Sequence, residues 1–451
     1  MSKPESESAS LPAAADLQAL AERVLQMSRD VGATQSELSL SHSRGFSVSV
    51  RNSEVESLEF QRDRSLGVTV YFGQHRGNAS TGDLSDKGLR ECVEAAATIA
   101  RVTEKDDCSG LADAALMARE QPDLALDHPW DLSPEAAIER ARACEAAALA
   151  VDARIQQSEG AGLSTTRGVS LYANSHGFFG HRRGTQHSLS CAVVAVDGAS
   201  MQRDYWWDGG RNAARLDSPE SIGRRAGERT VARLGARSLS TRQAPVLFVP
   251  EVARGLFGHF VSAISGGALY RKASFLLDKL GQPVFSPLVQ LRQQPRLLQA
   301  ASSAAFDHEG VTTLERELVR DGVLQGWLLG SYSARKLGLE TTGNAGGVFN
   351  LIVEPGALDQ AALMREMGTG LLVTELMGQG VNGLTGDYSR GAAGFWVENG
   401  RLGAPVEGVT IAGNLLEMYR DLQAVGGDVD ARSGIRCGSV LIGRMTIAGD
   451  N

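Results

Sequence analysis

Two prolines five residues apart limit what the stretch Ala244–Ile264 can become. Pro245 and Pro250 bracket the apolar run Val246-Leu247-Phe248-Val249. A proline inside a helix removes a backbone bond and clashes with the preceding turn, so the run reads as a short buried strand. After Pro250 the pattern changes. Val252, Leu256, Phe257, Phe260, Val261 and Ile264 recur at helical spacing, and proline suits the first position of a helix. The expectation is strand, tight turn, helix. Such corners often carry chemistry because a helix N-terminus offers free N–H groups. This one holds Glu251 and Arg254 and no pair of histidines; His259 is the only imidazole on the helix.

Before this corner the chain alternates helix and strand signals. Asp16–Val31 has one apolar face and reads as an amphipathic helix. Four alternating segments follow, around Leu38–Leu40, Phe46–Val50, Val55–Phe60 and Leu66–Phe72. They read as half-buried antiparallel strands joined by short polar turns. Ser85 caps a helix to about Val102. The stretch 103–132 is rich in Asp, Ala and Pro and has weak periodicity. Ser133-Pro134-Glu135 then starts another helix. Arg167-Gly168 followed by Val169–Tyr172 echoes Arg44-Gly45 followed by Phe46–Ser49, and Ser218-Pro219-Glu220 opens a further helix as Ser85 did. A helix–meander–helix unit used twice is one reading. Two unrelated meanders that merely look alike is the other.

The expected fold class is α+β, in three stretches. Residues 1–15 form a disordered lead-in, rich in Ser, Glu and Pro. Residues 16–238 form an N-terminal domain of antiparallel meanders and helices, with a possible duplicated unit. Residues 239–451 form a β-rich C-terminal domain, dense in glycine from Gly343 to Gly394 and expected to be a curved or barrel-like sheet. Its candidate strands include 326–329, 371–375, 394–398 and 440–442. At 451 residues the chain is long enough for such a division.

Charge and cysteine usage exclude several functions. Net charge is −8 and no basic tract appears, which argues against direct nucleic-acid binding. No apolar run approaches the roughly 20 residues that span a bilayer, so no membrane segment is expected. The five cysteines are scattered, with no C-x-x-C, as in a reduced cytoplasmic protein.

Among candidate sites, His176, His181 and His187 fall close together, but exposed strand or turn positions explain them better than a metal. His308 sits in an acidic turn without a visible partner. No G-x-S-x-G elbow is present. Cys437 beside Gly438 lacks a positioned base and reads as buried or vestigial. The loop 339–347, with Asn344 and Gly346, lacks the lysine of a phosphate loop and better suits close approach of a peptide backbone. Asp387, in the polar cluster Thr385–Arg390, is the carboxylate of most interest; turn former and surface charge is its plainer reading.

Several long runs resemble the TldD/PmbA family: LFGHFVSAISGGALYRK (256–272), SYSARKLGL (331–339), the stretch 367–400 and TIAGNL (410–415). The resemblance covers nearly the whole chain. It implies a metallopeptidase complex in which the TldD member binds catalytic zinc through a His-Glu-x-x-x-His helix and a cysteine near the C-terminus. On that pattern the first histidine position is Val249, the glutamate position Pro250 and the second histidine position Arg254, while Cys437 matches the cysteine. The resemblance therefore implies no metal, no cofactor and no catalytic residue in this chain. Zinc is expected in a TldD-type partner, and this chain in the non-catalytic half of a heterodimer, or in a homodimer when alone. The family proteolyses unstructured peptides and removes leader peptides from modified peptide antibiotics. Glu251, Arg254, Asn344, Gly346, Asp387 and Cys437 are the candidate lining of the substrate cleft. The alternatives are a hydrolase active on its own through an unrecognised site, around Asp387 or Cys437, and a regulatory binding protein of the gyrase-modulator type.

Overall fold

The computed structural model describes residues 11–449. Of the stretch 1–15 expected to lead in, residues 1–10 lie outside the described residues. Leu11 is buried against the first helix, α1 (Ala14–Asp30). The strands β1 (Gln35–Arg51), β2 (Glu54–Phe72) and β3 (His75–Thr81) follow, then α2 (Asp86–Val102). After an irregular linker come α3 (Pro134–Leu149), β4 (Ile155–Asn174), β5 (Phe179–Asp197), β6 (Ser200–Gly210) and α4 (Pro219–Ala232). Three helices begin as serine caps dictate. The hydroxyls of Ser85, Ser133 and Ser218 accept from the N–H groups of Gly88, Ala136 and Ser221, each at 3.2 Å. Each cap stabilises its helix by about 1 kcal/mol.

The meander occurs twice. The strands form one sheet in the order β3-β2-β1-β4-β5-β6, with β1 and β4 antiparallel at its centre. The two residues whose surroundings echo each other in sequence, Arg44 and Arg167, stand directly opposite one another in that pairing. An internal two-fold axis therefore passes between them, and each half carries its own pair of helices. Leu38, Leu40, Val48 and Val50 alternate inward on β1, so both helix pairs cover the same face of the sheet. The four strand segments expected between 38 and 72 are in fact two continuous strands. Ser41–Arg44 and Gln61–Ser65 pair straight through the register instead of turning. They are polar because they cross the seam between the two helix pairs, where no apolar cover requires hydrophobic residues.

The C-terminal half starts with the expected corner. Strand β7 (Arg242–Phe248) leads through Val249 into α5 (Pro250–Ala263), with proline at the first helical position. Then come α6 (Gly266–Tyr270), β8 (Leu291–Gln293), β9 (Arg316–Arg320), β10 (Val323–Leu324), α7 (Ser331–Leu337), β11 (Leu351–Val353), α8 (Gln360–Met367), β12 (Gly370–Met377), β13 (Asp387–Glu398), β14 (Arg401–Asn414), α9 (Leu415–Arg420), β15 (Leu422–Val425), β16 (Ile435–Arg436) and β17 (Val440–Gly449). One sheet runs β14-β13-β12-β7-β17-β15, and β14 also pairs with β17, which closes five strands into a barrel. A smaller sheet runs β10-β9-β8-β11-β16. Pro245 is tolerated inside a central strand because the facing β17 bulges between Ile442 and Met445, where a ladder donor would be missing. The segment 326–329 is not a ladder strand. Leu328 instead bonds to the junction of α5 and α6, donating to the Ile264 carbonyl and accepting from Gly266.

The apolar face of α5 (Ala253, Leu256, Phe257, Phe260 and Ala263) is buried in the main core with Phe285 and Tyr419. The Tyr419 hydroxyl donates to the Leu256 carbonyl at 2.7 Å. The linker 103–132 straps the halves together. Arg335 donates to the carbonyls of Cys108, Gly110 and Leu111, and Asp106 takes both Lys336 at 2.9 Å and the Tyr332 hydroxyl at 2.7 Å. Among the described residues no helix is long and apolar enough to cross a membrane.

Candidate functional site

The N-terminus of α5 opens into a cleft of about 900 Å³ between the barrel and the elements β6 and α4. Val249 caps the helix with extended backbone and no side-chain bond, and its isopropyl group is buried. Pro250 offers no donor or acceptor beyond its carbonyl. Glu251 adds an acid to the first turn, which the helix dipole favours. The loop between β15 and β17 brings Cys437 beside this turn, fully buried, with its Sγ 3.7 Å from the Pro250 carbonyl. Burial, reinforced by the charge of Asp430, pushes the Cys437 thiol well up, although Arg254 pulls the other way. A thiol raised in this way is a poor nucleophile.

Arg432 dominates the cleft wall. Its Nε and one Nη grip Asp430 at 2.9 and 3.1 Å, the same Nη reaches Glu251 at 3.3 Å, and the other donates to the Trp207 carbonyl at 2.6 Å. Burial alone would raise the Asp430 carboxyl. The Arg432 fork and backbone N–H more than reverse this, and Asp430 falls below the ordinary carboxylate range. The Trp206 indole gathers three guanidiniums, with Arg225 at 3.6 Å, Arg432 at 4.7 Å and Arg229 at 5.2 Å from the ring centre. Behind it the buried Asp204 pairs with Arg229 at 3.3 Å and Arg233 at 3.6 Å, and Arg233 extends to Glu375 at 2.5 Å.

These residues do not fit a zinc ion. Zinc needs three or four donors, and here the helix supplies an aliphatic chain, a proline and a guanidinium beside a single thiol. The nearby Asp430 and Glu251 are engaged by Arg432, and two arginines add a field that repels a cation. Among the described residues no three His, Cys, Asp or Glu side chains stand together to hold a metal.

The structure brings Glu251, Arg254 and Cys437 to one place and leaves the other candidates elsewhere. Asn344 is buried in the C-terminal half, bonded to Gln293, Thr342, Arg316 and the Gly347 carbonyl. Asp387 is exposed and closes a turn with Thr385 and Asn414. Gly346, at φ +99°, faces a different pocket, where an added Cβ would come within 2.5 Å of His308. His187 is a buried structural residue, bonded to Thr165 and the His128 carbonyl. Sequence reasoning missed Asp204, Trp206, Arg225, Asp430 and Arg432. The signal available was the Trp206-Trp207 doublet, in a chain with only 5 tryptophans, and the arginine of Asp430-Ala431-Arg432.

Residues 36–100, 127–234 and 241–449 match, in turn, the PmbA/TldA metallopeptidase domain 1, central domain and C-terminal domain. The chain is 50% identical over 413 residues to the metalloprotease PmbA of Escherichia coli O157:H7, covering 92% of each chain. It is 46% identical over 429 residues to the metalloprotease PmbA homolog of Haemophilus influenzae, covering 94% of each. The metalloprotease TldD homolog of that same organism is 24% identical over 398 residues, covering 81% of this chain and 80% of its own length. A solved structure from Bacteroides thetaiotaomicron, described as a candidate modulator of DNA gyrase, superposes with a TM-score of 0.91 at 28% identity. It covers 96% of this chain and 99% of its own.

Proposed function

Because the chain belongs to the PmbA/TldD metallopeptidase family, we propose that it is the metal-free subunit of a heterodimeric zinc peptidase whose zinc sits in a TldD-type partner. The observation that carries this reading is the α5 corner. The barrel, helix and cysteine-bearing loop are present, while on the family pattern Val249 and Arg254 stand at the histidine positions and Pro250 at that of the glutamate, and Arg432 ties up the nearby acids. The partner supplies zinc and the glutamate that activates a metal-bound water. This chain supplies an enclosing wall that admits extended peptides and shuts out folded proteins. Unstructured polypeptides and leader segments are the corresponding substrates, in the cytoplasm. Haemophilus influenzae carries a homologue of each type, as a two-component enzyme requires.

The test is zinc content and peptide cleavage by the purified chain, by a TldD-type protein, and by the mixture. Cleavage only by the mixture, with zinc only in the TldD-type chain, is expected. About one tightly held zinc per copy of this chain, or equal cleavage without it, refutes the assignment. The same preparation checks Cys437, which should resist thiol reagents while the partly exposed Cys108 reacts.

A further inference from the structure

The face of the six-stranded sheet opposite its helices packs against loops of the C-terminal half. There it encloses a pocket of about 380 Å³ lined by Arg182, Arg183, Arg211, Ser302, His308 and Gly346. Among the described residues no aspartate or glutamate lines it, in a chain where acids outnumber Lys and Arg by 53 to 45. None of the three arginines is in an ion pair among the described residues. Arg183 lines the pocket through its backbone: it pairs with Val169 of the helix-covered face, and its side chain donates to the Pro12 carbonyl on that side. Arg211 gives its two terminal nitrogens to the carbonyls of Thr185 at 3.2 Å and Ala301 at 2.8 Å, while its buried Nε–H has no partner. Arg182 donates its Nε–H to the Ser170 hydroxyl at 3.0 Å, its one hydrogen bond among the described residues.

The nearest acids are already engaged. Asp307 accepts three backbone N–H groups, from Glu309, Val311 and Ala345, and Glu309 accepts from Ser331. Removal from bulk water lowers both Arg182 and Arg211, and the charge of Arg182 adds to the effect on Arg211. Like charges without a counter-ion destabilise a fold unless an anion answers them. Glycines carve the space: an added Cβ at Gly184 would meet Arg211 at 2.9 Å, and one at Gly346 would strike His308.

We propose that this pocket is an oxyanion site, holding a phosphate or carboxylate group between Arg182 and Arg211 with serine hydroxyls beside it. The planar fork of arginine matches two oxygens of either group. The site shares no lining residue with the α5 cleft and does not rest on the role proposed there.

The experiment titrates the full-length protein with inorganic phosphate and, separately, acetate, at ionic strength held constant with chloride. Binding is read by calorimetry and phosphorus line width, and a selenate soak of crystals locates the ion. Saturable binding is expected, weakened about tenfold or more in Arg182→Gln. That variant loses only one hydrogen bond, so its melting curve should match the parent; Arg211→Gln is the second variant. A peptide with a free α-carboxylate that displaces phosphate, where its amide does not, assigns the site to peptide carboxylates. Phosphate that neither peptide displaces assigns it to phosphate. No saturable binding of either anion, equal binding by Arg182→Gln and the parent, or selenate located elsewhere overturns the proposal.

Discussion

The α5 cleft and the arginine pocket both lie between the two halves of the molecule, and both are rich in arginine. They differ in how those charges are answered. In the cleft, Arg432 holds Asp430 and Glu251, Arg229 and Arg233 hold Asp204, and Trp206 offers its ring to three guanidiniums. In the pocket, Arg182 and Arg211 meet carbonyls and a hydroxyl, and no acid among the described residues. A charge satisfied by its own chain contributes to stability and is costly to remove. A charge left without a counter-ion contributes little to the fold and is available to a ligand.

The largest effect should come from Trp206→Ala. It removes a buried indole, 5% exposed, and the surface on which three guanidiniums rest, at a cost of about 4 kcal/mol, seen as a lowered melting temperature. Next is Arg432→Gln, which leaves the nearly buried Asp430 without its fork and should cost about 3 kcal/mol in denaturant unfolding. Acid titration separates the pair further. Asp430 has a folded pKa below its unfolded value, so its contribution is complete above about pH 5 and is lost as pH falls through the folded pKa. The stability gap between the parent and Asp430→Asn should therefore narrow on acidification; a constant gap would mean the ion pair does not carry it. The smallest effect belongs to the pocket. Arg182→Gln should change stability by no more than about 0.5 kcal/mol without added anion. A loss as large as that of Arg432→Gln would erase the contrast between the two regions.

Local signals were legible in the sequence. Ser85, Ser133 and Ser218 cap where a hydroxyl precedes a helical run, and Pro250 starts α5, because these effects depend on residues within one turn. The repeat was faintly legible, and its meaning became plain when Arg44 and Arg167 paired across the sheet. The long strands were not, since Ser41–Arg44 has turn-like composition and only the seam above it explains why polar residues continue a strand. The cleft was half legible. Glu251, Arg254 and Cys437 were found by position, whereas Arg432 and Trp206 come from segments 226 residues apart in numbering, and nothing local marks them as neighbours. Asn344 reads as a loop residue in the sequence because the two partners that bury it in the fold, Gln293 and Arg316, are distant along the chain.

The strap at 103–132 has a consequence for how the chain is made. Arg335 is 227 residues beyond the Cys108 carbonyl it holds. A ribosome adding about 5–20 residues per second needs roughly 10–45 s to supply that arginine after Cys108 has emerged. Before that arginine arrives the duplicated sheet has all its strands and helices, while the face that will meet the loops of the C-terminal half stays bare. Tyr172 and Phe178, which finally pack with Phe306, wait on the nascent chain as an apolar surface open to a chaperone.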